Sequence, residues 1–177
     1  QGLFLLPVTM DRGWTRDAFA FAMAVQNLVW GVAQPFTGMI ADRFGSVRVV
    51  VAGIVLYAIG LWSMTQAQTS SAFVWSAGVC IGLALSGTTF GVVYGSLSRL
   101  VAPIRCSQAL GLAGAFGGLG QFVMVPATQG LIGGWGWSAA LVVMSIAMAA
   151  ILPLVLPLDY RARIPAPGAA AQPLGAA

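Results

Sequence analysis

The chain has 177 residues, 59% hydrophobic and 7% charged, against roughly 45 to 50% apolar and 25% charged in soluble domains, so a water-soluble globule is excluded. Every base is an arginine, every acid an aspartate, and there is no histidine, which leaves few groups for acid-base or metal chemistry and points to no cofactor. The net charge of +4 is scattered between long uncharged runs instead of clustered on one face, so no nucleic-acid partner is expected.

A membrane-crossing helix needs about 20 apolar residues. The opening segment, Gly2 to Met10, is too short to span and lacks the basic start and small-residue cleavage site of a signal peptide. It reads as the end of a first helix whose beginning lies upstream. Asp11, Arg12, Gly13, Trp14, Thr15, Arg16 and Asp17 predict a polar loop, and residues 18–40 a first full span. A charged turn at Asp42, Arg43, Gly45 and Arg48 leads to a second span at 49–64, closed by the polar run Thr65 to Ser71. The third, 72–98, is long enough to need tilt. Arg99, Pro103 and Arg105 mark the next turn. There is no charge from Cys106 to Leu158, where Gly133, Gly134, Trp135, Gly136 and Trp137 divide two more spans, 106–132 and 138–157, at an aromatic interface anchor. Residues 1–158 thus predict an all-α polytopic transmembrane bundle, and 159–177 a disordered tail or interdomain linker. Cys80, in mid-span, and Cys106, at a membrane face, lie too far apart for a disulfide.

Arg43, Arg48, Arg99, Arg105, Arg161 and Arg163 fall on one side, while Arg12 and Arg16 fall on the other beside Asp11 and Asp17. The positive-inside rule makes the arginine-rich side cytoplasmic. Loops 41–48 and 99–105 and the tail 159–177 are then expected in the cytoplasm, with the spans in the inner or plasma membrane.

At 100° per residue, Gln26, Asn27, Trp30, Gln34 and Thr37 share one arc of the first full span, and Val25, Leu28, Val29, Val32, Phe36 and Met39 the opposite, lipid-facing side. The polar arc either bonds to neighbouring helices or lines a polar cavity. In the third span Ala84, Gly87, Gly91 and Gly95 form a small-residue packing stripe. Ser86, Thr89 and Ser96, roughly opposite, either line a cavity or satisfy their own helix carbonyls. The fourth carries Gly111, Gly114, Gly117, Gly118 and Gly120, then Gln121 and Pro126. A phosphate loop would need a preceding strand and a lysine or acidic partner, so these glycines suggest helix contact, with Gln121 a further cavity candidate and Pro35 and Pro126 places for a bend. Spans 49–64 and 138–156 are poor in polar side chains and predict peripheral, lipid-facing helices. Gln34-Pro35-Phe36-Thr37-Gly38 and Pro126-Ala127-Thr128-Gln129-Gly130 sit at opposite ends of their helices, as an inverted repeat would place them.

The segment Gly38-Met39-Ile40-Ala41-Asp42-Arg43-Phe44-Gly45-Ser46-Val47-Arg48 resembles the signature loop between helices two and three of the major facilitator superfamily, G-x-x-x-D-R-x-G followed by basic residues. The resemblance implies twelve helices in two halves rocking around a central site, this chain being the amino-terminal half and a second six-helix half its partner. Gly38 would permit close helix approach. Asp42 would pair with a helix terminus or base of the other half in the outward-open state, and Arg43 and Arg48 would complete a cytoplasmic latch about the Gly45 turn. Ser46 and Val47 depart from the family pattern, which usually has bases there.

Gly13-Trp14-Thr15-Arg16, the stretch Gly114 to Pro126 and Gly136-Trp137-Ser138 look like the oxalate:formate antiporter and monocarboxylate porter branch. That likeness implies a bilayer-embedded carrier of small organic anions working by alternating access, with its anion-binding cations largely in the second half and no transport by this chain alone. A drug:proton antiporter would be expected to carry a buried arginine on helix four, and Cys80 to Ser98 has none. An intramembrane enzyme lacks the His, Glu and Lys it would need. A non-transporting scaffold or sensor, or an exporter of another substrate class, are the remaining alternatives.

Overall fold

The computed structural model describes residues 2–88, 94, 97, 101 and 103–162, with side chains up to 155, and among these every element is helical. After a 3-10 turn at Gly2–Phe4 come α1 (Leu5–Arg12), α2 (Arg16–Phe44), α3 (Ser46–Gln66) and α4 (Ser70–Thr88). A long run, Pro103–Ala162, keeps helical backbone except at Gly136, with φ 81° and ψ 167°, and so divides into α5 (103–135) and α6 (137–162). Residues 163–177, holding Arg163 and most of the expected tail, lie outside the described residues, as does Arg99.

The connections are tighter than the charge pattern predicts. Gly13, at φ 66°, ends α1 in the left-handed region, and Thr15, extended at ψ 152°, accepts from Ala18 N–H to cap α2. The predicted seven-residue loop therefore shrinks to 13–15, with Asp11 and Arg12 on α1 and Arg16 and Asp17 on α2. Between α2 and α3 only Gly45 leaves helical geometry, at φ 95° and ψ 135°, a conformation open to glycine alone at low cost. Asp42 and Arg43 consequently belong to the last turn of α2 and Arg48 to the first turn of α3. In each case a cap, and not the first charged residue, sets the boundary.

Ser46–Gln66, Ser70–Thr88 and Ile104–Val155 are long and apolar enough to cross a membrane, the last being two passes in length. α2, at 29 residues, has ample length, about 1.5 Å per residue, but its polar arc dilutes its hydropathy. The protein is an all-α transmembrane bundle.

α4 is the wedge of this bundle. A β-carbon on Gly82 would lie 2.8 Å from Gln26 O and 3.0 Å from Val29 Cβ on α2, and one on Gly53 of α3 would lie 3.1 Å from Ala84 O of α4. Backbones at such range gain dispersion contacts that larger side chains would prevent. Within the wedge, Val74–Cys80 forms a π-helical turn, where the buried Ser76 Oγ donates to Ala72 O at 3.0 Å and Phe73 O at 3.1 Å. Phe4, Val8, Phe19, Leu61, Met64, Phe73, Ile81 and Leu141 form the main core, drawn from α1 to α4, α6 and the opening turn.

Two face expectations are corrected. Val25 and Val29 do not face lipid: they meet α4 at Gly78 and Gly82, while Phe21, Leu28, Val32, Phe36 and Met39 are exposed. Nor is α3 peripheral. It packs against α4 and the α5–α6 run, and Ala58 O accepts from Ser145 Oγ of α6 at 2.8 Å. Judging periphery by the scarcity of polar side chains overlooks the glycines at 53 and 60, which let α3 approach closely. Its outer face, Val55, Ile59 and Trp62, is exposed.

A polar clasp ties three helices at the Arg12 end. Arg12 donates to Gln68 Oε1 at 3.1 Å and Thr65 O at 3.2 Å, its guanidinium lies 5.5 Å from the Trp137 ring centroid, and Trp137 Nε1 donates to Asp11 Oδ2 at 3.0 Å. Trp137→Phe keeps an aromatic ring and removes the donor. It is expected to cost about 1 to 2 kcal/mol of stability, read as a lowered midpoint in denaturant titration followed by far-UV circular dichroism. An unchanged midpoint would make the bond dispensable.

Candidate functional site: the α2–α3 corner and the polar face of α2

Ala41 and Val49 are buried and pack with Val50 beneath the corner, and Gly45 N–H donates to Ala41 O at 3.0 Å. This small apolar clamp presents Asp42, Arg43 and Arg48 outward, all three exposed. The Arg43 guanidinium lies 5.5 Å from the Phe44 ring centroid and occupies the negative end of the α2 dipole, where a cation is stabilised by about 0.3 to 1 kcal/mol. Arg48 occupies the positive end of α3, where a cation is disfavoured. Local helix electrostatics therefore accounts for Arg43 and not for Arg48. Among the described residues nothing beyond its own helix lies within 4 Å of a β-carbon placed on Gly38, which is half-buried.

The polar arc of α2 divides by depth. Gln26 is 7% exposed, and its Oε1 finds no hydrogen-bond partner among the described residues. Trp30 is half-buried, whereas Asn27 and Gln34 are exposed, with Asn27 Nδ2 donating to Met23 O at 2.9 Å. Thr37 Oγ1 lies 2.9 Å from Gln34 O and 3.1 Å from Ala33 O of its own helix, the carbonyls its one hydroxyl hydrogen serves best, with Ser86 O of α4 a longer third acceptor at 3.3 Å. Ser86 itself is 1% exposed and donates from Oγ to Leu83 O at 2.7 Å. Its hydroxyl thus satisfies a carbonyl of its own helix.

The small-residue stripe of α4 meets α3 where it is described, Gly87 lying 3.2 Å by its β-carbon position from Val49 O. Gly91, Gly95, Thr89 and Ser96 lie outside the described residues. On α5, a β-carbon on Gly114 would meet Tyr94 Oη at 2.8 Å, whereas Gly111, Gly118 and Gly120 face open space among the described residues. Gly117 is half-buried. Pro35 and Pro126 sit within helical backbone, and the non-helical residue of the α5–α6 run is Gly136.

Gln121 borders a cavity of about 420 Å³ with Phe4, Tyr57, Met64, Thr128 and Met144. Thr128 is 4% exposed, with Oγ1 4.0 Å from Met144 Sδ. Neither Tyr57 nor Thr128 stands out as a site residue from the sequence. The only hint is the place of Thr128 inside the Pro126–Gly130 segment. The clasp is equally hidden, because Asp11, Arg12 and Trp137 read as loop charges and an interface anchor. What the assembled arrangement offers is amide and hydroxyl bonding inside the bundle and a charged corner at one end.

Apolar membrane-length helices wedged at glycines, with a D-R-x-G corner where the second helix meets the third, define a polytopic transmembrane helical bundle. The chain belongs to the major facilitator superfamily, whose family model matches residues 2–176. Among curated proteins it is similar to monocarboxylate transporter 11 of Homo sapiens, 31% identical over 156 residues, which is 84% of this chain and 31% of that protein. It is also similar to the multidrug resistance protein MdtH of Photorhabdus laumondii, 37% identical over 78 residues, 44% of this chain and 19% of that protein. The chain spans less than a third of the length of either relative.

Proposed function

We propose that the protein is a secondary or facilitative transporter of small solutes, carboxylate anions foremost, that this chain is its amino-terminal half, and that it works by alternating access. The observation that carries the reading is the α2–α3 corner. Three exposed charges stand on a rigid apolar clamp, and one of them, Arg48, sits where its own helix disfavours it, as expected of a group held for a partner. That partner is a second six-helix half, which Asp42 and Arg48 latch and which α2 approaches at Gly38. The arginine-rich end is cytoplasmic, and residues 159–177 link the bundle to that second half. Likeness to a protein named for monocarboxylate transport over 84% of the chain supports the substrate class. Likeness to a multidrug resistance protein over the shorter stretch favours a second reading, export of lipophilic solutes.

Proteoliposomes holding the protein expressed from its complete reading frame test both. Saturable counterflow of a labelled monocarboxylate is expected, and the 177-residue chain alone should give none. Absence of counterflow with any carboxylate, alongside uptake of a lipophilic cation, would establish the second reading. Uptake by the isolated chain would overturn the two-half arrangement.

A further inference from the structure

The first turn of α4 is held down by one side chain. Thr69, Ser70, Ser71 and Ala72 are all exposed, whereas Phe73 is 1% exposed. Its ring fills an aromatic seat, 5.4 Å from the Trp14 centroid and 5.5 Å from that of Phe19. A groove runs down each flank of this turn. One of about 490 Å³ lies toward α2, bordered by Ala18 and Phe21, and one of about 450 Å³ lies toward α3, bordered by Ser63 and Cys80. Trp75 borders both. Immediately beyond Phe73 the helix changes pitch. At the ends of the π turn Val74–Cys80 the backbone bonds are shared: Val74 N–H reaches Ser70 O and Ser71 O, and Ile81 N–H reaches Ser76 O, five residues back, and Gly78 O, three back. Interruptions of this kind are where helices bend. The segment lies between two anchors. Before it, Arg12 holds Gln68 Oε1 at 3.1 Å, and after it Gly78 is seated on α2, a β-carbon there standing 3.0 Å from Val25 Cγ1.

We propose that residues 69–73 are a strap hinged at the π turn, shut while Phe73 is in its seat and open when the ring swings out. The Ser76 hydroxyl, bonded to Ala72 O and Phe73 O, keeps two carbonyls satisfied where the backbone bonds are shared, which lowers the cost of bending. The grooves give the strap room on both sides, and Phe73 is the side chain that must leave the core. Opening joins the two grooves into one recess that reaches the aromatic seat from the Arg12 end. The movement is local to α4 and requires no displacement of α2 or α3. It rests on the fold of this chain and not on the transport reading.

Hydrogen exchange read by mass spectrometry, on the protein expressed from its complete reading frame, tests the strap. Amides 75–80 should exchange about tenfold faster than amides 81–88 of the same helix. In a background where Cys80 is the only cysteine, Phe73→Ala should raise the rate of labelling by N-ethylmaleimide about tenfold, the order set by losing one buried aromatic anchor. The same variant should speed exchange at 69–80 and leave the other helices as they are. Phe73→Leu should give a smaller rise in both readings, and it decides if Phe73→Ala does not fold. Wild-type exchange as slow at 75–80 as at 81–88, Cys80 labelling unchanged by substitution of Phe73, or a rise in exchange spread over every helix would each overturn the proposal.

Discussion

Gly82→Val is expected to unseat α4 from α2. The new β-carbon would stand 2.8 Å from Gln26 O and 3.0 Å from Val29 Cβ. A backbone carbonyl inside a helix and a β-branched side chain both have little room to yield, and valine brings two further carbons. Overpacking costs about 1 to 3 kcal/mol in ordinary cores, and a clash against backbone belongs at or beyond the upper end. The readout is the fraction of monodisperse protein in detergent together with its denaturation midpoint. Gly118→Ala, at a position with nothing within 4 Å among the described residues, should move the midpoint by no more than about 0.5 kcal/mol. Gly60→Ala should fall between, because its contact at 2.6 Å is the Cδ1 end of Ile81, which can swing aside. If Gly82→Val and Gly118→Ala behave alike, the close α2–α4 contact is not what holds the wedge.

The second large effect is conformational. On the proposed reading, Asp42→Asn in the full-length protein keeps the shape of the side chain and removes its charge from the corner. On the latch reading this releases the outward-open state. A carboxylate facing a helix terminus contributes about 0.3 to 1 kcal/mol when exposed and up to about 2 when partly buried, so the population should move toward inward-open by roughly twofold to thirtyfold. Cysteines placed along the cytoplasmic cavity should then label faster in the variant. Unchanged labelling rates would argue against the latch.

Much of the bundle is legible in the sequence because its signals are local. Apolar runs against charged interruptions mark the passes, the Gly133 to Trp137 cluster marks the turn that Gly136 makes, and Ala84 with Gly87 marks the surface that α4 offers to α3. The faces of α2 are only partly legible. A helical wheel groups Gln26 with Gln34, yet burial separates them: Gln26 is buried, its backbone beside Gly82, and Gln34 is exposed. It also sends Val25 and Val29 outward, since no property of α2 announces that glycines on another helix await them. The π turn at Val74–Cys80 is invisible to any wheel drawn at a fixed angle per residue. The clasp is out of reach for a different reason: Asp11 and Trp137 are 126 residues apart, and their pairing depends on how every intervening helix packs.

That separation also orders the birth of the protein. A chain made at about 5 to 20 residues per second leaves Asp11 and Arg12 waiting roughly 6 to 25 s for Trp137 to emerge. Throughout that interval α1 has no tie to α6, and the carbonyl of Ala58 lacks Ser145. The clasp therefore closes last: a chain that stalls before α6 can make the Arg12 bonds to Gln68 and Thr65 but not the bond from Trp137 to Asp11.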